Sequence, residues 1–229
     1  MSLTFNHPTA LLLIDNQKGF AVDPNTPSHW GTQRSNPNLE KNLSALLSAF
    51  RVARSKSSTA NLEVIHVFHS SILPDSALHS SANNGTNIQP LDFASPLPDG
   101  SERVFWKHVN SAFIGTDLEM YLRSRGIRQL IVAGITTDHC VSTSVRMAAN
   151  LKVVDHFPEG RPVLKDDGTQ EKVVAVDKGR IVLVGDATAT WAKGGFDAET
   201  VHSVTLASLD GEFADVVRTE EVVGALEGV

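Results

Sequence analysis

Cysteine, tyrosine and basic charge are all scarce in this chain. Cys140 is the lone thiol among 229 residues, so no intrachain disulfide can hold the fold and the disulfide-stapled scaffolds are excluded. Its 20 Lys and Arg are outnumbered by 26 Asp and Glu, a net of −6 scattered without a basic stripe, which speaks against nucleic acid or an anionic membrane as partner. The longest apolar runs, 10–14 and 130–133, fall far short of the roughly 18 residues a membrane span requires. Residues 1–9 carry no basic flank ahead of an apolar stretch, so no secretory signal is read there and a soluble, cytoplasmic protein is the expectation. Gly-x-Ser-x-Gly, P-loop, Gly-x-Gly-x-x-Gly and His-Glu-x-x-His motifs are missing, which withdraws support from nucleotide and redox chemistry.

What is present suits a folded α/β chain. Apolar residues make up 41%, with 16 Gly besides, and a chain of this length suits one large core better than two small ones, so a single domain over 1–229 is expected. Short apolar runs at 9–14, 62–68, 129–133 and 180–184 have the pattern of buried parallel strands. Between them Leu39, Leu43, Leu46, Leu47 and Phe50 share a helical face, as do Leu118, Tyr121 and Leu122, and later Val201, Val204, Thr205 and Ser208. Strand and helix in alternation predict a mostly parallel sheet covered by helices on both faces, with ligands beyond the carboxyl ends of the strands. The stretch 71–102, rich in Pro and Gly, is long enough for a lid or binding loop. Residues 151–178 alternate apolar and polar types around Asp167 and Gly168, which predicts a β-hairpin inserted beside the sheet.

Chemistry points to strand ends. Asp15 follows the first apolar run, and Cys140 lies in Gly134-Ile-Thr-Thr-Asp-His-Cys140-Val-Ser-Thr-Ser-Val-Arg146, which passes from a strand end through a polar turn into a helix start. A helix start favours an anion, so the sequence predicts a lowered thiol pKa there. Taken singly, Cys140 could be a small buried hydrophobe, Asp15 a turn residue and Lys107 an exposed amine.

Together they resemble the isochorismatase-like cysteine hydrolases, which include nicotinamidases and N-carbamoylsarcosine amidohydrolase. Leu12-Leu-Ile-Asp15-Asn-Gln17 is similar to that family's opening Asp-x-Gln segment, the run from Lys107 to Leu118 to its lysine motif, and the run from Gly134 to Arg146 to its cysteine motif; Gly185-Asp-Ala-Thr188-Ala matches the segment after the last core strand. The resemblance implies a three-layer αβα, Rossmann-like fold and a homo-oligomer. It implies Cys140 as nucleophile, Asp15 as general base and then acid, and Lys107 holding charge beside them. An oxyanion hole is implied at the backbone N–H groups of Thr136 and Cys140, next to a non-proline cis peptide between Ile135 and Thr136.

The expected activity is therefore cofactor-free hydrolysis of an amide-type C–N bond in a small molecule, through a thioester. Two alternatives stand beside it: isochorismate hydrolysis, in which Asp15 protonates an enol-ether carbon, and a non-catalytic binding protein on the same fold. Phe20, Trp30, Trp106 and His108 are candidate substrate-contacting residues. No metal is expected: around His69 the sequence lacks the Asp-x-His of nicotinamidases, His66 and His69 have odd spacing and point to opposite faces of a strand, and His79 would add only one ligand.

Overall fold

The computed structural model of the chain describes residues 3–22, 29–31, 33–56 and 61–229. Six strands, β1 (Thr9–Ile14), β2 (Leu62–His69), β3 (Arg103–Lys107), β4 (Gln129–Ile135), β5 (Arg180–Ala189) and β6 (Asp215–Val217), form one sheet in the order β3-β2-β1-β4-β5-β6. Every pairing in it is parallel. Apolar residues fill β1, β2 and β4 on both faces because helices cover both. Leu12, Ile14, Val67 and Val132 belong to one buried cluster, and Leu11, Leu13, Val64 and Ile131 to the other.

Helix α1 (Leu39–Lys56) buries Leu39, Leu43, Leu46, Leu47 and Phe50, the face its periodicity predicts; α2 (Leu118–Ser124) buries Leu118 and Leu122. Helix α3 (Ser142–Leu151) continues a π-type turn, Thr137–Val141. In α4 (Ala198–Leu209) the buried side chains are Ala198, His202 and Leu209, not the face through Val201, Val204, Thr205 and Ser208, and Val204 is exposed. Helix α5 (Thr219–Leu226) closes the described chain.

Strands β3 and β6 carry only two or three consecutive apolar residues beside charged ones, because they lie at the two edges of the sheet, where short strands with charged residues are tolerated. In 151–178 the chain turns back antiparallel about Asp167 and Gly168, but the strands that alternation predicts do not form. That stretch leaves α3 and returns to β5 with isolated antiparallel bridges, His156 to Asp177 and Leu164 to Gln170, and Val163, Leu164, Val173 and Val176 stay exposed. Alternation without a surface to bury one face against does not make a sheet.

The chain order reverses direction between β1 and β4, so the crevice beyond their carboxyl ends is the switch point where doubly wound sheets bind ligands. Ile14 and Gly134 are register partners there, and Gly134, at φ 127°, is so close that an added Cβ would lie 2.0 Å from the Ile14 carbonyl oxygen. We expect Gly134→Ala to lose about 3 kcal/mol or more of stability, read as a fall in the urea midpoint or an insoluble product; near-native stability would mean β1 and β4 can separate at no cost.

Candidate active site

Three strand ends deliver the site. Asp15 follows β1 in the left-handed region (φ 54°), a conformation Asp tolerates better than most residues, and is fully buried. Lys107 ends β3 at 1% exposure, and Cys140 sits in the π-type turn after β4 at 6%. The Lys107 ammonium donates to Asp15 Oδ2 at 2.7 Å, to Cys140 Sγ at 3.2 Å and to His69 Nδ1 at 3.0 Å. Lysine has three N–H donors and no acceptor, so the group is fully used.

His69 enters because β2 and β3 pair His69 directly with Lys107, which puts both on one face. His66 lies on the other face, bonded to Glu102 Oε2 at 2.9 Å, and Glu102 in turn is held by Arg51. Gln17 fixes the rim: its Nε2 donates to the carbonyls of His69 (2.9 Å) and Ile88 (2.8 Å), and its Oε1 accepts from His69 N–H (2.8 Å). The loop 71–102 is stitched along the β1 exit by further backbone bonds, Lys18 N–H to Gln89 and Leu91 N–H to Asn16. Ser144 Oγ donates to the Cys140 carbonyl (2.6 Å) and accepts from Ala112 N–H (2.9 Å), locking α3 to the segment after β3. Asp138, two residues before the thiol, accepts from Thr190 Oγ1 (2.5 Å) and from Lys193 Nζ.

Among the described residues, four buried side-chain polar atoms have no partner: Asp15 Oδ1, Asn16 Nδ2, Thr136 Oγ1 and His66 Nδ1. The first three belong to residues at the ends of β1 and β4, so unmet hydrogen-bonding capacity concentrates at the crevice. The peptide between Ile135 and Thr136 is cis.

The electrostatics correct the sequence expectation for the thiol. Burial pushes the Cys140 pKa well above the ordinary value, the Asp15 charge adds to that, and Lys107 opposes without prevailing, so the helix start does not leave a resting thiolate. Burial likewise raises Asp15, against the pull of Lys107. His69 is driven down to about 4 by burial, by the Lys107 charge and by His108, and is neutral near pH 7. Iodoacetamide should therefore alkylate Cys140 more slowly than a free thiol at neutral pH, with a rate still rising above pH 9, the ordinary thiol value. A rate plateau below that pH would show that the thiol ionises early.

The side-chain ligand atoms of Asp15, His69 and Cys140 lie within 4.8 Å of one another, close enough in principle for a metal ion. The Lys107 ammonium already stands in hydrogen-bond contact with all three and supplies the cation, so the donor set does not fit a metal as arranged. His79 bonds Ser81 within its own loop.

The other candidates are placed unequally. Phe20 and Trp30 stack at 5.0 Å between centroids, and Trp191, which follows β5 and carries no motif, completes the group at 6.1 Å from Phe20. His108 is exposed just past Lys107. Trp106 packs on Phe68 at 5.4 Å, on the sheet face opposite Lys107 and away from the cluster, because neighbours on a strand alternate. Sequence reasoning passed over Asn110, whose Oδ1 lies 3.8 Å from Cys140 Sγ; it lies within the lysine motif, but only proximity marks it out.

The fold and site are thus a doubly wound sheet with a buried thiol, carboxylate and ammonium together at its switch point. The Isochorismatase domain family matches residues 9–221, and the chain belongs to that family of hydrolases. It is 32% identical over 219 residues to the uncharacterized isochorismatase family protein YrdC of Bacillus subtilis, covering 93% of this chain and 94% of that one. An isochorismatase-family protein of known structure from Chromobacterium violaceum is similar throughout, with a TM-score of 0.75, 31% identity and coverage of 100% and 99% of the two chains. A shorter match, 42% identical over 65 residues and 28% of this chain against 27% of the other, is to the ureidoacrylate amidohydrolase RutB of Enterobacter. No helix among the described residues is long and apolar enough to cross a membrane.

Proposed function

We propose that this chain is a cysteine amidohydrolase that cleaves a C–N bond of a small amide through a thioester, with Cys140, Asp15 and Lys107 as its working set. The observation that carries the reading is the single ammonium of Lys107 bonded at once to the Asp15 carboxylate and the Cys140 sulfur. A cation so placed keeps Asp15 available as a carboxylate despite its burial and lowers the cost of negative charge appearing on sulfur.

In this scheme the resting thiol is neutral. As sulfur attacks the carbonyl carbon, its proton passes to Asp15, whose Oδ1 is unpartnered, and the carbonyl oxygen takes up the negative charge. Backbone N–H groups of Thr136 and Cys140 are the proposed oxyanion donors. Asp15 then protonates the departing nitrogen, the C–N bond breaks and the thioester remains. Water, deprotonated by Asp15, attacks the thioester; the acid leaves and the proton returns to sulfur. Phe20, Trp30 and His108 are proposed to shape the approach to this centre; Trp106 is left out. The partial match to an amidohydrolase favours an amide over other hydrolysable bonds.

Burial of Asp15 favours its protonated form, which also suits protonation of an enol-ether carbon, so isochorismate hydrolysis is kept as the second reading. A screen of amides, ureas and isochorismate for product release, with intact-mass detection of an acyl adduct on Cys140, tests the proposal. An acyl adduct supports it; turnover of isochorismate alone, with no adduct, favours the second reading.

A further inference from the structure

We infer that His69 contacts the substrate, donating from Nε2–H to a second carbonyl oxygen that the substrate carries beside its scissile amide. This rests on the amidohydrolase reading and narrows its substrate class to amides with a neighbouring carbonyl group.

Geometry fixes the tautomer. The Lys107 ammonium can only donate, so His69 Nδ1, 3.0 Å away, must accept, and a neutral imidazole that accepts at Nδ1 carries its proton on Nε2. Among the described residues nothing in the protein receives that proton. The His69 backbone is held at both N–H and C=O by the buried Gln17 amide, the adjoining Ser70 N–H donates to the Lys107 carbonyl (2.8 Å), and turning the ring would break its own bond to Lys107. Exposure rises outward from the cluster: Lys107 is 1% exposed, His69 is half-buried, and His108 and Asn110, which follow the same strand as Lys107, are exposed. Ionisation agrees with the tautomer, since an imidazole that titrates at about 4 stays neutral at ordinary working pH and so keeps Nδ1 an acceptor for Lys107. The site thus presents an N–H donor on the ring whose other nitrogen touches the cation that touches sulfur, and a substrate oxygen beside the scissile amide is the acceptor we assign to it.

Two substitutions divide the ring's two nitrogens. In His69→Asn the side-chain oxygen takes the place of Nδ1 and can accept from Lys107, but nothing reaches the Nε2 position. In His69→Gln the amide reaches the Nε2 position and the Nδ1 acceptor is lost. For an amide that the wild type hydrolyses, His69→Asn should raise KM about tenfold with kcat within about threefold, while His69→Gln keeps KM near wild type. A second readout needs no substrate: the rate of Cys140 alkylation by iodoacetamide, which carries a carbonyl, relative to allyl iodide, which does not. That ratio should fall about tenfold in His69→Asn only, whereas the pH profile of alkylation should move in His69→Gln only. Unchanged KM and ratio in His69→Asn would overturn the inference, as would parallel changes of ratio and pH profile in both variants, the sign that the ring acts only through Lys107. If the wild type hydrolyses no amide, the amidohydrolase reading fails by itself, and the alkylation ratio still decides the role of His69.

Discussion

Cys140→Ala should lower amide hydrolysis by at least about four powers of ten while the protein stays folded. Acyl transfer to sulfur is a step that no neighbouring group can replace, since Lys107 spends its three N–H groups on Asp15, His69 and Cys140 and has no free pair to attack with. Loss of one sulfur from a core that includes Val141, Val145 and Phe113 leaves a small void worth about 1 kcal/mol, well within the stability of such a chain. Circular dichroism and a urea midpoint near wild type would accompany the loss of rate. A variant that still releases amine at a tenth of the wild-type rate would remove sulfur from the mechanism. One that hydrolyses isochorismate normally, when no amide is a substrate, would transfer the chemistry to Asp15 alone.

Asp15→Asn should be nearly as damaging to turnover, by about three powers of ten, and should also weaken the fold. The substitution keeps the shape of the side chain but leaves the Lys107 cation, itself 1% exposed, without its counter-charge. Removing one member of a buried ion pair costs about 3 to 5 kcal/mol. Adding Lys107→Met to Asp15→Asn should therefore restore much of the stability and none of the activity. If the double variant is no more stable than Asp15→Asn, the pair is not charged at rest. The same carboxylate sets the acid side of the pH profile. Asp15 must be ionised to take the thiol proton and its pKa is raised by burial, so kcat/KM should climb with pH through a value above 3.8, the ordinary one for Asp.

The sequence displays the parts of this fold that burial dictates and conceals those that depend on neighbours. Strands β1, β2 and β4 are visible as apolar runs because both of their faces are covered, and Asp15 and Cys140 follow because each stands just past such a run. Edge strands β3 and β6 have no such signature, so Lys107 is found through its motif and not through its strand. The outer face of α4 looks as regular as a buried one because Val, Thr and Ser are small enough to stand in water, and only packing shows that His202 and Leu209 point inward. The thiol's ionisation is hidden for a similar reason: a helix start is legible, but the depth of the surrounding protein is not. His69 could be seen to point away from His66, yet its contact with Lys107 depends on the β2–β3 register. Trp106 could have been placed from the sequence, because a strand that aims Lys107 at the site must aim its neighbour elsewhere.

The closed arrangement of Lys107, Asp15 and Cys140 has a consequence for how charge is accounted for during the proposed reaction. One cation, one carboxylate, a neutral thiol and a neutral imidazole sum to zero, and moving a proton from sulfur to carboxylate leaves that sum unchanged. An uncharged amide therefore enters, acylates Cys140 and departs as amine and acid without the interior ever acquiring a net charge that ions from solvent would have to balance. A cluster of this kind can stay behind a thiol exposed by only 6% throughout the cycle. Its selectivity would then fall hardest on substrates that bring a charge of their own to the sulfur.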